Sequence, residues 1–323
     1  KYNNYIMKNI YLNIFKINNK NLSKAVDYLK RKQLIGVPTE TVYGLAGDAY
    51  SSKAVKKIYL LKNRPLKNPL IIHYFNLDQL KKDVELNDSF YKLYKKFCPG
   101  PITFVLKKKK KSLLSAFATA NLKTVAVRIP ENKTIRKILK ILNFPLAIPS
   151  ANKSTQISPV SAKDVASEFS GSLKFILDGG SCKIGLESTV IDLTSKAKIL
   201  RPGLINPSDI SRVLNKETKV YTGSKVVKSP GMLKRHYSPG IPMKLNQKKV
   251  KNNEAFIVFG KKYKKGKNIY NLSYKSNLNE AAKNLYKILR IIKNKKYKMI
   301  CVCSIPQTGI GLAINDRLNR AAK

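Results

Sequence analysis

Apolar positions recur at helical spacing over residues 22–34, where Leu22, Ala25, Val26 and Leu29 share one face. The pattern then contracts to Ile35-Gly36-Val37, which reads as a strand running into a loop. Ser51 or Ser52 is placed to cap a second helix through Leu61, with Ala54, Val55, Ile58 and Leu61 on its apolar side. Leu70 to Tyr74 reads as a strand, and Asp88 is placed to cap a helix to Phe97 that stops at Cys98-Pro99-Gly100-Pro101. A strand follows at Ile102 to Leu106, and the lysine run 107–111 is simplest as a solvated hairpin tip. Beyond it the pattern predicts a strand at Thr124–Ile129, a helix near Thr134–Leu142 and extended chain from Leu146 to Pro149. A helix capped by Ser161 runs to Phe169, strands are expected at 175–177 and 189–193, and Ile199-Leu200 leads into Arg201-Pro202-Gly203.

From about 216 to 245 the periodicity lapses, and Ser229-Pro230-Gly231 and Ser238-Pro239-Gly240 punctuate the stretch, so it reads as a linker. Periodicity resumes with a strand at 255–259, a helix at 277–292, a strand at 299–304 and a helix at 310–321. The interleaving predicts an α/β protein with one domain over 20–215, a linker over 216–245 and a small C-terminal α/β domain over 246–323, without internal repeats.

Length agrees with two domains: 323 residues, 43% hydrophobic and 25% charged, describe a globular chain. Four cysteines do not make a disulfide scaffold at this length, and Cys301-Val302-Cys303 lacks the spacer of a zinc or redox motif, so they read as reduced thiols of a cytoplasmic protein. No window approaches a membrane span, and residues 1–20 are too interrupted by Asn and Lys for a signal peptide. The chain opens on Lys1, and Met7 is the expected natural start.

Charge changes the picture more. There are 64 Lys and Arg against 18 Asp and Glu, a net charge of +46, and residues 218–323 hold 25 of the basic residues but only 3 of the acidic ones. An anionic partner such as RNA is one reading. The other is codon-driven drift: 54 of the 64 are Lys, Asn occurs 28 times and Trp is absent, the profile of A/T-rich coding. Weak, salt-sensitive RNA binding follows from either.

Familiar phosphate and catalytic devices are missing. No G-x-x-x-x-G-K-[ST] loop is present, Gly309-Ile310-Gly311 lacks the context of a dinucleotide fingerprint, and two distant histidines, His73 and His236, support neither a metal site nor a triad. Candidate chemistry sits in loops after strands, where ligands of α/β folds tend to bind. Pro38-Thr39-Glu40-Thr41-Val42-Tyr43-Gly44 offers hydroxyls, a carboxylate and a phenol, while Lys62 and Arg64 at a helix end offer a point charge and a planar fork suited to a polyphosphate. Each has a plainer reading: Glu40 as a cap, Lys62 and Arg64 as a solvated helix end, His73 as a satisfied strand-end histidine. Arg128, inside the apolar strand Val125-Ala126-Val127-Arg128, is costly unless an anion meets it.

Taken in order, seven segments resemble the YrdC-like family of threonylcarbamoyl-AMP synthases. They are Pro38-Thr39-Glu40-Thr41-Val42-Tyr43-Gly44; Lys62-x-Arg64-Pro65 with Asn68-Pro69-Leu70-Ile71 and His73; Pro99-Gly100-Pro101-x-Thr103; Thr124-Val125-Ala126-Val127-Arg128; Pro149-Ser150-Ala151-Asn152; Glu187-Ser188-Thr189-Val190; and Arg201-Pro202-Gly203. Ser229-Pro230-Gly231-Met232 with Arg235-His236-Tyr237-Ser238-Pro239 is similar to the linker of the family's long, two-domain form, and Leu312-Ala313-Ile314-Asn315-Asp316-Arg317 to its C-terminal domain.

The resemblance implies a twisted mixed sheet around an open cleft, a small Rossmann-like C-terminal domain, and a nucleotidyltransferase. It would condense L-threonine, bicarbonate or CO2 and ATP into threonylcarbamoyl-AMP and pyrophosphate, for modification of tRNA by downstream machinery. It further implies that Lys62, Arg64, Asn68, Thr124, Asn152, Val160, Arg201 and Ser229 hold ATP, that Thr41, His73, Arg128, Ser150 and Ser188 hold threonine, and that Mg2+ accompanies the triphosphate without identifiable protein ligands. No residue acts as a nucleophile; alignment and charge neutralisation suffice. Ser229 would make the linker a lid. Two departures stand out: Ala46-Gly47 follows Leu45, where the family often has Gly next, and Val160 replaces a hydroxyl residue, leaving only its backbone for ATP. A non-catalytic double-stranded-RNA-binding module is the competing reading. Carbamoyl-adenylate chemistry of hydrogenase-maturation proteins is another, but their zinc-finger and acylphosphatase modules are absent from the sequence.

Overall fold

The computed structural model describes residues 11–221, 236–263 and 265–323. The elements of the larger part are β1 (Ile14–Lys16), α1 (Asn19–Lys30), β2 (Ile35–Val37), β3 (Gly44–Asp48), α2 (Ser52–Lys62), β4 (Ile71–His73), α3 (Leu77–Leu80), α4 (Asp88–Phe97) and β5 (Ile102–Lys107). They continue through β6 (Thr124–Arg128), α5 (Lys133–Ile141), β7 (Leu146–Ala147), α6 (Ala162–Phe169), β8 (Ile176–Asp178), β9 (Thr189–Asp192), β10 (Lys198–Arg201) and α7 (Pro207–Leu214). The strands form one mixed sheet in the order β1-β8-β2-β3-β7-β4-β6-β5-β9-β10.

The second part contains β11 (Met243–Lys244), β12 (Glu254–Val258), β13 (Ile269–Asn271), α8 (Leu278–Lys293), β14 (Met299–Val302) and α9 (Gly311–Ala321). Its sheet, β11-β14-β12-β13, is parallel throughout. The α/β architecture is therefore as expected, a large mixed sheet with a small parallel one. Three features lie outside the expected segments. β1 precedes residue 20, Val220 bridges Ile199 and so extends the larger sheet past 215, and β11 brings the smaller sheet back to Met243. Met7 and Ser229 fall outside the described residues.

Alternation along the strands sorts the two faces of the large sheet. Ile72, Phe104, Val125 and Val127 point into the main core, whereas Ile71, Val105, Ala126, Val190 and Leu200 form a separate small apolar cluster on the other face. His73 and Arg128 share that second face at the carboxyl ends of β4 and β6, and Thr124 shares it at the opposite end of β6, about 13 Å away at the rise of a strand.

Several local expectations need correction. The cap of α4 is Asn87, whose side chain accepts from the Phe90 N–H at 2.9 Å, with Asp88 inside the first turn. On α2, Tyr59 and Lys62 are buried and Leu61 is only half-buried. The lysine run is solvated at 109–111 and opens the connection of the antiparallel β5–β6 pair, but it is no tight tip: Lys108 bridges Val84, Lys109 donates its backbone N–H to Asp83, and β6 begins only at Thr124. β3 escaped the pattern because Gly44, Ala46 and Gly47 carry little apolar signal, yet a Cβ on Gly44 would lie 2.1 Å from Ile148 Cγ2. Close packing, not side-chain hydrophobicity, specifies that strand.

Candidate active site

The parallel pairing of β4 with β6 sets His73 directly across from Arg128. The anion that meets Arg128 within the chain is Glu40: Nη2 donates to its Oε1 at 2.6 Å, while Nη1 donates to Thr41 Oγ1 at 3.0 Å and Nε to the Gly100 carbonyl at 3.3 Å. Glu40 also accepts the backbone N–H groups of Glu131 and Asn132, which lead into α5, so its plainer reading as a cap is partly realised. Burial would raise its carboxyl, but Arg128 and these donors hold it below the usual carboxylate range. Guanidinium carries five N–H groups, so two on Arg128 have no acceptor among the described residues. His73 is pushed down to about 3 by burial and by the neighbouring Arg128 charge, which makes it a neutral imidazole at physiological pH.

The opposite wall comes from β9 and β10. Ser188 Oγ lies 2.7 Å from Thr103 Oγ1, and Arg201 donates to Ser188 Oγ from Nη2 and to the Ser188 carbonyl from Nε, each at 3.1 Å. Gly203 permits this closeness, since a Cβ there would lie 2.4 Å from the Thr189 nitrogen.

Lys62 and Arg64 end α2 across the left-handed C-cap Asn63 (φ 48°). Neither is a solvated helix end: Lys62 is 1% and Arg64 8% exposed. Lys62 Nζ donates to the Ser150 carbonyl at 2.5 Å and to the Asn152 carbonyl. Arg64 donates to the carbonyls of Asn68 and Pro69 and to Asn68 Oδ1, at 2.6–3.0 Å. These acceptors are all neutral. Burial, reinforced by the like charge of Arg64, depresses the Lys62 ammonium well below the ordinary lysine range, and burial lowers Arg64 to about 10. Two buried cations held only by neutral oxygens favour an incoming anion.

One narrow cavity is lined by Thr41, Arg64, His73, Arg128, Ser150, Ser188 and Arg201, brought together from along the first 201 residues. Lys62 stands behind this wall, bracing the 150–152 loop. Asn68 and Asn152 are also buried off the lining, with Asn68 Nδ2 and Asn152 Oδ1 unpartnered among the described residues. Thr124 is off the lining too, at the far end of the same face.

Val160 departs from expectation. It does not line the cavity, its N–H goes to Asp164 Oδ2 at 2.9 Å within the α6 capping box, and its carbonyl accepts from Cys182. Helix capping uses its N–H, which leaves the second lone pair of its carbonyl as the backbone group open to a ligand. The lining also includes Glu187, His236 and Tyr237, for which no role was expected. Their signal was present, in Glu187-Ser188-Thr189 and in Arg235-His236-Tyr237. His236 is pushed down to about 3 by burial, and His236 Nδ1 and the Tyr237 hydroxyl are buried without partners among the described residues.

A family model named for Sua5, YciO and YrdC and described as "Telomere recombination" matches residues 27–203, and one described as "Threonylcarbamoyl-AMP synthase, C-terminal domain" matches residues 205–323. The chain belongs to the Sua5/YciO/YrdC family. As a Sua5-type chain it resembles the threonylcarbamoyl-AMP synthase of Pyrococcus abyssi, at 37% identity over 317 residues, 92% of this chain and 93% of that one. That of Bacillus subtilis is 33% identical over 328 residues, covering 94% of each. Among solved structures, the crystal structure of P. abyssi Sua5 complexed with L-threonine matches with a TM-score of 0.88 at 34% identity, over 96% of this chain and 97% of that one. E. coli YciO shares the fold of the larger part, with a TM-score of 0.55 at 21% identity over 61% of this chain.

Proposed function

We propose that this chain is an L-threonylcarbamoyladenylate synthase, joining L-threonine, bicarbonate or CO2 and ATP into threonylcarbamoyl-AMP with release of pyrophosphate. The observation that carries the reading is the convergence of Arg64 and Arg201 with Thr41, His73, Arg128 and Ser188 on one buried cavity. An amino acid and a polyphosphate would meet there without bulk water between them.

Threonine is held through its carboxylate by the two unused N–H groups of Arg128, and its polar atoms are read by Thr41, Ser150, Ser188 and neutral His73. Its neutral amine adds to CO2 and gives up a proton to water, leaving a carbamate. A carbamate oxygen then attacks the α-phosphorus of ATP, the bond to the bridging β-phosphate oxygen breaks, and pyrophosphate leaves. Arg64 and Arg201 neutralise the charge that builds on phosphate, with Lys62 holding the 150–152 loop in place. Asn68 and Asn152 offer their unpartnered amide atoms to the nucleotide, which extends toward Thr124.

The chain's carboxylates do not fit a resident Mg2+. Both acids on this site are occupied, Glu40 by Arg128 and two backbone donors and Glu187 by Ser158, Tyr286 and Arg317, and no cluster of three metal-ligating side chains occurs among the described residues. Mg2+ would therefore arrive with the triphosphate, and the residues named above act through their own charges and hydrogen bonds.

The labile product calls for a downstream enzyme that passes the threonylcarbamoyl group to an adenosine of tRNA, and the cationic surface would bind RNA weakly. Among the described residues no helix is long and apolar enough to cross a membrane, and we place the enzyme in the cytoplasm. Pyrophosphate release from ATP tests the reading: it should require both threonine and bicarbonate and fall at least tenfold when serine replaces threonine. Equal release with serine overturns it.

A further inference from the structure

The C-terminal domain meets the proposed cavity wall at Glu187, through Arg317 and Tyr286. Arg317 on α9 has no solvent exposure at its side chain. Its Nε donates to Glu187 Oε2 at 2.9 Å and its Nη1 to the Pro202 carbonyl at 2.9 Å. Glu187 precedes Ser188, and Pro202 follows Arg201. One guanidinium thus ties together the two strand ends that present Ser188 and Arg201. It also lies 5.2 Å over the ring of Tyr237, a further wall of the cavity. From α8, Tyr286 donates its hydroxyl to Glu187 at 2.9 Å, and Gly185 approaches so closely that a Cβ would lie 2.7 Å from the Lys283 Cα.

We infer that Arg317 is a positioning residue supplied by the C-terminal domain, which sets Ser188 and Arg201 for threonine and nucleotide by clamping Glu187 to Pro202. The inference rests on the functional reading above. It makes the second domain part of the active site's frame rather than an appended module. The groups facing Glu187 are Arg317, Arg201, Ser158, Tyr286, Tyr237 and His236. Burial pushes its carboxyl up, and Arg317 followed by Arg201 pulls it down to about 2. Without Arg317 that carboxyl rises, so it takes a proton at a higher pH and loosens the clamp there.

The test compares the full chain with Arg317→Met, Tyr286→Phe and, as a control on the same domain interface, Arg290→Met. Arg290 binds Asp164, Glu168 and the Ile157 carbonyl without touching Glu187. Arg317→Met should lower kcat/KM for threonine at least tenfold and move the acid limb of its pH profile to higher pH, while Arg290→Met should stay within twofold with an unmoved limb. A wild-type profile in Arg317→Met, or the same shift in Arg290→Met, overturns the inference. Should Arg317→Met not fold, Tyr286→Phe should show the same trend at three- to tenfold, and an unchanged value overturns it. A wild-type chain that releases no pyrophosphate defeats the functional reading instead. Arg317 is then judged by NMR titration of the Glu187 carboxyl, where equal midpoints in wild type and Arg317→Met overturn the inference.

Discussion

His73 and Arg128 are register partners on the parallel strands β4 and β6, so an imidazole held neutral lies beside a guanidinium already paired with Glu40. Both histidines on the cavity, His73 and His236, are pushed from 6.5 to about 3 by burial. Below pH 6.5 the unfolded chain binds protons that the folded chain refuses, so stability falls as pH drops from 6.5 toward 3. Between pH 6.5 and 5 each histidine should cost about 2 kcal/mol. Urea titrations at pH 7 and 5 measure the loss, and His236→Gln should remove about half of it. A stability independent of pH in that window would contradict the burial of these rings.

Arg128 has a structural partner as well as a proposed ligand, and the two roles separate by substitution. Arg128→Ala leaves Glu40 buried and unpaired, a loss of about 3–5 kcal/mol of stability. Adding Glu40→Gln should restore most of that stability. Threonine binding, followed by calorimetry, should stay lost in the double variant, because the N–H groups proposed for its carboxylate are gone. Threonine affinity that returns with stability would mean that Arg128 acts only through Glu40.

Much of this was legible in the sequence. Amphipathic stretches such as 52–62 and 278–293 announce themselves by period, and the motif order marks Thr41, Arg64, His73, Arg128, Ser150, Ser188 and Arg201, all of which meet at one cavity. What stayed hidden depends on tertiary contact. Glu40 as the partner of Arg128 joins residues 88 apart, and Arg317 reaching Glu187 joins residues 130 apart, and no local pattern encodes either pairing. Nor does a residue's place in a motif show that a nearby cap uses its N–H, as Asp164 does for Val160.

Arg64→Lys tests the division of the cavity. Lysine keeps the charge but not the fork that reaches Asn68 and Pro69 together. ATP affinity should fall by about 1–3 kcal/mol, roughly 5- to 150-fold, while threonine binding alone stays near wild type. Calorimetry with each ligand separately decides it, and an equal loss for both would erase the proposed boundary between the two subsites.

Gly203→Ala probes the wall formed by β9 and β10. The added Cβ would sit 2.4 Å from the Thr189 nitrogen, which does not yield as a flexible side chain would. The Arg201 turn should be forced away from Ser188, with turnover falling at least tenfold, out of proportion to the change in stability measured by urea. Turnover at the wild-type level would show that the contact between Arg201 and Ser188 is dispensable.

The central claim is that one buried cavity joins threonine, CO2 and the α-phosphate of ATP. Incubation of the full chain with ATP, threonine and 13C-bicarbonate, followed by mass spectrometry of the adenylates, tests it most directly. The account predicts a threonine-containing adenylate carrying a single 13C, formed with one pyrophosphate per molecule. Pyrophosphate released without labelled adenylate, or a labelled adenylate formed as readily from serine, would contradict it.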